Sequence, residues 1–270
     1  MIMINGEQGG SIHVMDRAVM YGDGVFRTMR MDHGLIKCWP QQYQKLAADC
    51  QALDILCPAR NTLEQELQQF SKEDPNCVIK IIISRGEGGR GYRVPTSASP
   101  NRVVLSAPLP EYPTAYWKVG VQLHLCEIRL SHQPRLAGIK HLNRLENVLA
   151  RMEWANPDVP EGLLLDADGW VVEGTMSNIF MHLGNQLLTP DLSDCGVNGL
   201  QRDRILRHVS TLGLAPTICR FNFPNLLKAD EIFISNSLIG IWPVRQIANV
   251  PIALGPIAAK LQQILEQAID

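Results

Sequence analysis

The pattern of apolar and polar residues predicts strands and helices in both halves of the chain. In the first half, β-branched and apolar runs predict strands in MIMING, GVFRTMRMDHGLIKC, CVIKIIISRG and RVVLSAPLP, with a hairpin turn at Asp32-His33-Gly34. Apolar residues at helical spacing predict a helix over residues 40–56, and a second helix is predicted over residues 61–71. The apolar face of the first helix is formed by Tyr43, Leu46, Ala47, Cys50 and Leu53.

The second half repeats this mixture of elements. Strands or hairpins are predicted in KVGVQLHLCEIRL, EGLLLDADGWVVEG, SNIFMHLGNQLLTP and DEIFISNS, and GVNGLQRDRILRHVSTLGL predicts a glycine-rich turn that opens a helix. Another helix is predicted after Lys140, with Asn143 and Glu146 as a capping pair. The apolar residues expected on one side of it are Leu142, Leu145, Leu149 and Met152.

A proline-rich stretch separates the two halves. The segment APLPEYPTAYW holds three prolines, which is a composition typical of linkers. We therefore predict an α+β protein with an N-terminal α/β domain over residues 1–108, a linker over 109–118 and a C-terminal domain over 119–270.

Composition narrows the class of protein. The chain has 270 residues and a formal net charge of −2. It therefore lacks the excess positive charge expected of a protein that binds nucleic acid or an anionic membrane surface. Its seven cysteines form no C-x-x-C pair, so we expect no zinc or redox motif and a reduced, cytoplasmic compartment. No signal peptide and no long apolar run are apparent, so no membrane span is expected.

Lys140, in AGIKHLNRLE, is the first candidate for a catalytic residue. It stands before a predicted helix, where burial and the positive end of the helix dipole would lower the pKa of its amine. A neutral amine is the nucleophile that a Schiff-base lysine needs. On local sequence alone, an ordinary surface lysine in a loop is the alternative.

Four further segments are candidates for binding a ligand. Glu173 ends a β-branched strand and precedes small polar residues, so it is a candidate partner for a cationic ring nitrogen. The turn in GVNGLQRDR offers main-chain N–H groups to a phosphate, and Ser235-Asn236-Ser237 adds polar donors. Arg90, in SRGEGGRGYR, is a candidate for binding a carboxylate. An ordinary strand end, turn or solvated loop is the alternative reading of each segment.

In their order along the chain, these motifs resemble the fold-type IV pyridoxal-phosphate enzymes, the class of the branched-chain and D-amino-acid transaminases. The resemblance covers essentially the whole chain and implies a two-domain α+β fold with the cofactor between the domains. Within the class, AGIKHLNRLE and GGRGY resemble the aminodeoxychorismate lyases rather than the transaminases. The segments that carry the resemblance are DRAVMYGDGVFRTMR, ISRGEGGRGY, LAGIKHLNRLE, VVEGTMSNIF, GVNGLQRD and ADEIFISNSLIGIWPV.

The resemblance implies a role for each matching position. Lys140 would bond covalently to pyridoxal 5'-phosphate and shuttle protons, and Thr28 would be the general acid. Glu173 would pair with the pyridine nitrogen and keep it protonated. The positions implied for the phosphate are the main-chain N–H groups of Leu200 and Gln201, with Asn236 and Ser237. The positions implied for the substrate are Tyr21, Arg30, Arg90 and Tyr92, with Arg90 on a carboxylate.

Two positions depart from the pattern of the class. The first-domain helix usually carries a phosphate-binding arginine in a His-x-x-Arg-Leu run, but here Lys45 stands in its place within QYQKL. Lysine supplies charge but lacks the planar fork of arginine. The helix start after GVNG reads Leu-Gln rather than the commoner Ile-Thr, so one hydroxyl donor is missing.

The activity that the resemblance implies is conversion of 4-amino-4-deoxychorismate to 4-aminobenzoate and pyruvate, in folate biosynthesis, by a cytoplasmic homodimer. One alternative is a pyridoxal-phosphate aminotransferase acting on D- or branched-chain amino acids. A non-catalytic cofactor-binding protein is the other, and the presence of both Lys140 and Glu173 argues against it. The expected partner is a small-molecule substrate, with no nucleic acid, membrane or metal.

Overall fold

A computed structural model describes residues 1–268 of the protein, which form two compact units. The first unit consists of residues 1–111 together with residues 139–143. The second consists of residues 112–138 and 144–268. Each unit combines helices with a sheet, so the α+β prediction is confirmed. The domain boundaries predicted from the sequence stay a prediction.

An antiparallel sheet forms the centre of the first unit. Its strands are β1 (Ile2–Ile4), β2 (Glu7–Gln8), β3 (Gly24–Asp32), β4 (Leu35–Ile36), β5 (Cys77–Ser84) and β6 (Arg102–Pro108). Hydrogen bonds connect them in the order β2-β1-β6-β5-β3-β4. The alternate residues Ile79, Ile81 and Ile83 of β5 are fully buried, which is why its apolar run folds as a central strand.

Helices α1 (Arg17–Tyr21), α2 (Trp39–Ala52) and α3 (Arg60–Glu73) belong to the first unit. Leu46 and Cys50 of α2 join the core that covers β3. The predicted end of this helix at residue 56 is wrong. The helix ends at Ala52, because Asp54 adopts a left-handed conformation with a φ of 52° that an α-helix does not allow.

The second unit contains a mixed sheet. Its strands are β7 (Val121–Leu130), β8 (Glu161–Asp166), β9 (Val171–Gly174), β10 (Asn178–Leu183), β11 (Gln186–Pro190), β12 (Ala215–Cys219), β13 (Glu231–Asn236), β14 (Gly240–Ile247) and β15 (Val250–Pro251). Their order is β12-β11-β10-β13-β14-β7-β8-β9, and β15 pairs with β14. The pairs β8–β9 and β10–β11 are the two hairpins predicted from the sequence.

The helices of the second unit are α4 (Ala115–Lys118), α5 (Leu145–Arg151), α6 (Leu200–His208), α7 (Phe223–Leu226) and α8 (Ile257–Gln267). The short helix α4 lies inside the stretch predicted as a linker. Helices α6 and α8 share a core with the sheet through Ile205, Leu261 and Phe233. Within residues 1–268, no helix combines the length and the apolarity needed to cross a membrane.

Helix α5 differs from its prediction at its start. Its N-cap is Arg144, which makes no side-chain cap bond, whereas Asn143 donates to the carbonyl of Gly22 at 3.0 Å. Glu146 accepts from the N–H of Ser131 at 2.9 Å, so the predicted capping pair is wrong. The apolar side of the helix is exposed in this chain, at Leu145 (69%), Val148 (53%), Leu149 (44%) and Met152 (74%).

Candidate active site

Residues 139–143 extend the sheet of the first unit along the edge of β3. The N–H of Leu142 donates to the carbonyl of Gly24, and the N–H of Phe26 donates to the carbonyl of Lys140, both at 2.9 Å. Lys140 is therefore held by strand-like pairing. Leu142, which the apolar pattern assigned to the following helix, belongs to this paired segment instead.

The helix after Lys140 begins later than the sequence predicted. Helix α5 begins at Leu145, five residues after Lys140. A helix dipole acts mainly within the first turn of its helix. Its expected effect on the Lys140 amine stays a prediction.

The amine of Lys140 lies over an aromatic ring. Its Nζ is 4.8 Å from the centroid of the Phe26 ring, and the Nζ of Lys80 lies at the same distance from that ring. Side chains alternate along a strand, so Phe26, Thr28 and Arg30 share one face of β3. Thr28 is half-buried there, directly across from Lys80 on β5, whereas Arg30 is exposed. Lys140 and Thr28 are thus both neighbours of Phe26.

A buried carboxylate holds the other main-chain group of Lys140. Asp49, on α2, accepts a hydrogen bond from the Lys140 N–H and pairs with the guanidinium of Arg27. Burial raises the pKa of the Asp49 carboxyl, although Arg27 and the Lys140 N–H favour its charged form. Lys45 stands one helical turn before Asp49, and its charge acts on the same carboxylate.

Neither Arg27 nor Asp49 was singled out from the sequence. One local signal for them exists. Arg27 occupies an inward position of β3, between the fully buried Val25 and Met29, and a charge at such a position requires a partner. Lys80 was also missed, because the apolar run around it predicts only a buried strand.

Arg17 organises the loop that contains Arg90 and Tyr92. Its guanidinium donates to the carbonyls of Gly91 and Tyr92, both at 3.3 Å. The Tyr21 hydroxyl accepts from the Gly91 N–H at 3.0 Å, and the Tyr21 and Tyr92 rings pack with their centroids 5.3 Å apart. Three predicted substrate residues are therefore close together in the first unit, and Arg90 and Tyr92 are exposed.

The other arginines near this loop have different surroundings. Arg85 is buried, and it donates to the Asp23 carboxylate at 2.8 Å and to the carbonyl of Leu53 at 2.6 Å. It therefore supports the fold rather than a ligand. The fourth predicted substrate residue, Arg30, lies on β3 with a nitrogen 3.8 Å from the carboxylate of Asp32.

In the second unit, Glu173 is buried near the end of β9. Its Oε2 accepts a hydrogen bond from the N–H of Val197 at 2.8 Å. Gly196 permits this approach, because its φ is 86° and a Cβ there would lie 2.7 Å from the Cγ1 of Val172. A main-chain donor thus fixes the orientation of the Glu173 carboxylate.

The start of α6 presents main-chain donors. Gly199 is the N-cap residue of this helix and makes no side-chain capping bond. The main-chain N–H groups of the first turn, which includes Leu200 and Gln201, therefore receive no acceptor from the N-cap side chain. Asn178 donates to the carbonyl of Val197 at 2.7 Å and accepts from the Gly199 N–H at 3.2 Å. This amide, which the sequence did not point to, fixes the turn before the helix. Such a helix start suits a phosphate.

The turn between β13 and β14 holds the last predicted phosphate residues. Asn236 donates to the carbonyl of Met176 at 3.0 Å, and its Oδ1 accepts from the N–H groups of two turn residues. Its side chain thus shapes the turn, and Ser237 follows it. The neighbouring Ser235 hydroxyl is buried and lacks a hydrogen-bond partner among the described residues. Ser235 pairs across strands with Asn178, so an unused hydroxyl lies beside the residue that fixes the start of α6.

The chain belongs to the amino-transferase class IV family, whose profile matches residues 24–247. It is 33% identical to the aminodeoxychorismate lyase of Vibrio harveyi, over 97% of this chain and 98% of the relative. Among solved structures it is similar to the 4-amino-4-deoxychorismate lyase of Pseudomonas aeruginosa, with a TM-score of 0.95, 40% identity and complete coverage of both chains. The resemblance predicted from the motifs is confirmed.

A more distant similarity concerns the fold alone. The branched-chain amino acid aminotransferase of Escherichia coli matches with a TM-score of 0.85 and 23% identity, over 97% of this chain and 91% of that one. The chain therefore has the fold-type IV architecture that its motifs predicted.

Proposed function

We propose that this protein binds pyridoxal 5'-phosphate and converts 4-amino-4-deoxychorismate to 4-aminobenzoate and pyruvate, a step of folate biosynthesis. The placement of Lys140 carries the proposal. Its main chain is fixed on β3, and its amine lies over Phe26, next to Thr28 on the same strand face. The relatives from Vibrio harveyi and Pseudomonas aeruginosa are lyases with this substrate in their names.

Residues of the second unit fit the cofactor. Glu173 would hold the proton on the ring nitrogen, and the N–H groups of Leu200 and Gln201 would bind the phosphate. Asn236 and Ser237 would support this end of the site. The unpartnered hydroxyl of Ser235 is a further donor. When bound, pyridoxal phosphate supplies an aldehyde that bonds to amines and a ring that withdraws electrons from the adjacent carbon.

Lys140 and Thr28 would move the protons. When its amine is free, Lys140 would take the proton from the amine-bearing carbon of the substrate. Thr28 would donate a proton to the departing enolpyruvyl group, which leaves as pyruvate while the substrate ring becomes aromatic. The proton held by Lys140 would restore the Thr28 hydroxyl, and 4-aminobenzoate is the second product.

The first unit offers groups for the substrate's two carboxylates. Arg90 would bind one of them through two parallel hydrogen bonds, and Arg30 supplies a second guanidinium on the face that carries Thr28. The packed rings of Tyr21 and Tyr92 would contact the substrate ring. Lys45 would add charge to the phosphate site.

The enzyme is further proposed to be a cytoplasmic homodimer. An apolar helix face that is this exposed is typical of an interface, and α5 presents Leu145, Val148, Leu149 and Met152 in this way. All seven cysteines have free thiols, as expected for a reducing compartment. Light scattering of the purified protein would test the dimer.

The deciding experiment is a product assay on the purified protein. With aminodeoxychorismate, we expect equal amounts of 4-aminobenzoate and pyruvate, and no product from Lys140→Ala. An aminotransferase would instead transaminate D-alanine or leucine and release no 4-aminobenzoate, which would contradict the proposal. A protein that binds cofactor without catalysis would be yellow but inactive in both assays.

A further inference from the structure

The pair of Arg27 and Asp49 is buried in the first unit. The two residues are 3% and 6% exposed, and they join β3 to α2. A buried ion pair usually adds little stability compared with apolar residues of similar volume. In addition, the Nε of Arg27 has no hydrogen-bond partner among residues 1–268. Stability alone therefore does not explain why this ion pair is present in the core.

The pair also contacts Lys140, the lysine that is proposed to react. The Asp49 carboxylate accepts from the main-chain N–H of Lys140, while the Lys140 carbonyl accepts from Phe26 at 2.9 Å. Both main-chain polar groups of Lys140 are thus held inside the first unit. An apolar residue at position 49 would leave the N–H side of the lysine without this buried acceptor.

A fixed main chain matters for a lysine that must leave its partner and return in every turnover. A displacement of about 1 Å from the reacting geometry can cost about 100-fold in rate. We propose that Asp49 is a positioning residue that fixes the main chain of Lys140, with Arg27 as its counter-ion. The inference rests on the proposed function, in which Lys140 bonds to the cofactor.

Replacing the pair by apolar residues separates positioning from stability. In Arg27→Met/Asp49→Leu, the charges and the acceptor are lost together, and the melting temperature should stay close to wild type or rise. Arg27→Met/Asp49→Asn restores an acceptor without the charge. The matched control is Arg102→Met/Glu66→Leu, which removes another ion pair between a helix and a strand of the same unit.

The first readout is hydrogen exchange of the holoenzyme, followed in peptides covering residues 139–143. We expect exchange in these peptides to be at least about tenfold faster in the Met/Leu variant. Exchange should be close to wild type in the Met/Asn variant and in the control. Faster exchange throughout the molecule would indicate general destabilisation and would count against positioning.

The second readout is the rate at which the apoprotein captures pyridoxal phosphate covalently, followed by absorbance and by borohydride trapping on Lys140. The Met/Leu variant should be about 10–100-fold slower, and the Met/Asn variant should recover most of the rate. An unchanged capture rate in the Met/Leu variant, or equal loss in both variants, would overturn the proposal.

A single substitution covers the case in which the Met/Leu variant does not fold. Asp49→Asn keeps an oxygen acceptor, so exchange at residues 139–143 should stay slow, and loss of protection confined to that segment would overturn the proposal. A wild-type protein that captures the cofactor but releases no 4-aminobenzoate would refute the proposed function. The positioning role would then still be decided by exchange and capture.

Discussion

The two units hold their candidate site residues by different means. In the first unit, a side-chain carboxylate and its counter-ion anchor Lys140. In the second unit, main-chain N–H groups and a neutral amide orient Glu173 and the start of α6. Main-chain donors persist whatever side chain a residue carries, provided that the backbone does not move. Side-chain substitutions at Lys140 and Thr28 should therefore change the chemistry, whereas at the start of α6 a change of the backbone should matter more than a change of side chain.

The largest effect is expected at Lys140. Lys140→Ala removes the amine that bonds to the cofactor and moves the proton, so 4-aminobenzoate formation should fall by about 10⁴–10⁶-fold. Borohydride should no longer fix pyridoxal phosphate on the protein. Mass spectrometry of the reduced protein checks this, with Lys80→Ala as a control because its amine contacts the same ring. A trapped adduct in Lys140→Ala would remove the lysine from its proposed role.

The next effect is expected at Thr28, on the same strand face. Loss of one general acid typically costs about 10²–10⁴-fold, so Thr28→Ala should lower the rate of 4-aminobenzoate formation by that factor. Cofactor absorbance should be retained. Thr28→Ser keeps the hydroxyl and should recover most of the rate. If the serine and alanine variants were equally slow, the hydroxyl would not be the proton donor.

Glu173 tests whether the second unit also takes part in the chemistry. Glu173→Gln keeps the size of the side chain but cannot hold the ring nitrogen protonated, so kcat should fall by about 10²–10³-fold. The affinity for pyridoxal phosphate should change little, because the phosphate donors are untouched. Titration of the apoprotein measures the affinity separately. A kcat near wild type would show that the ring nitrogen has another partner.

A change to the backbone should affect cofactor binding more than a change of side chain. A Cβ at Gly199 would lie 2.3 Å from the Oδ1 of Asn178, so Gly199→Ala must displace the turn that opens α6. We expect it to weaken pyridoxal phosphate binding by about tenfold. Gln201→Ala is the matched control, since it keeps the N–H group. Equal affinities in the two variants would contradict main-chain recognition of the phosphate.

The sequence predicts those features that depend on neighbouring residues in the chain. The isoleucine run of β5 and the hairpin turns are of this kind, because apolar runs and turn-forming residues can be recognised within a few consecutive residues. Lys140 was singled out through its motif, and its role stays a prediction. The start of α5 was placed too early, because the apolar pattern also includes Leu142.

The contacts of Lys140 were not predictable, because they join segments far apart in the chain. Asp49 and Lys140 meet only once α2 and residues 139–143 have both been placed against β3. The exposed apolar side of α5 shows the same limit. The spacing of Leu145 and Leu149 predicts a helix with an apolar side, but it does not say whether that side faces a core or a partner.

The smallest effect is expected at Lys45, where this chain departs from its class. Lys45→Arg would offer a planar fork in place of a single ammonium group, so pyridoxal phosphate affinity should rise by about threefold to tenfold. Asp49 lies one turn away and its charge acts on position 45, which limits the gain. Lys72→Arg, near the end of α3, is the control for a general effect of arginine. If Lys45→Arg bound the cofactor no better, or less well, Lys45 would not contact the phosphate, and its charge would serve the Asp49 carboxylate instead.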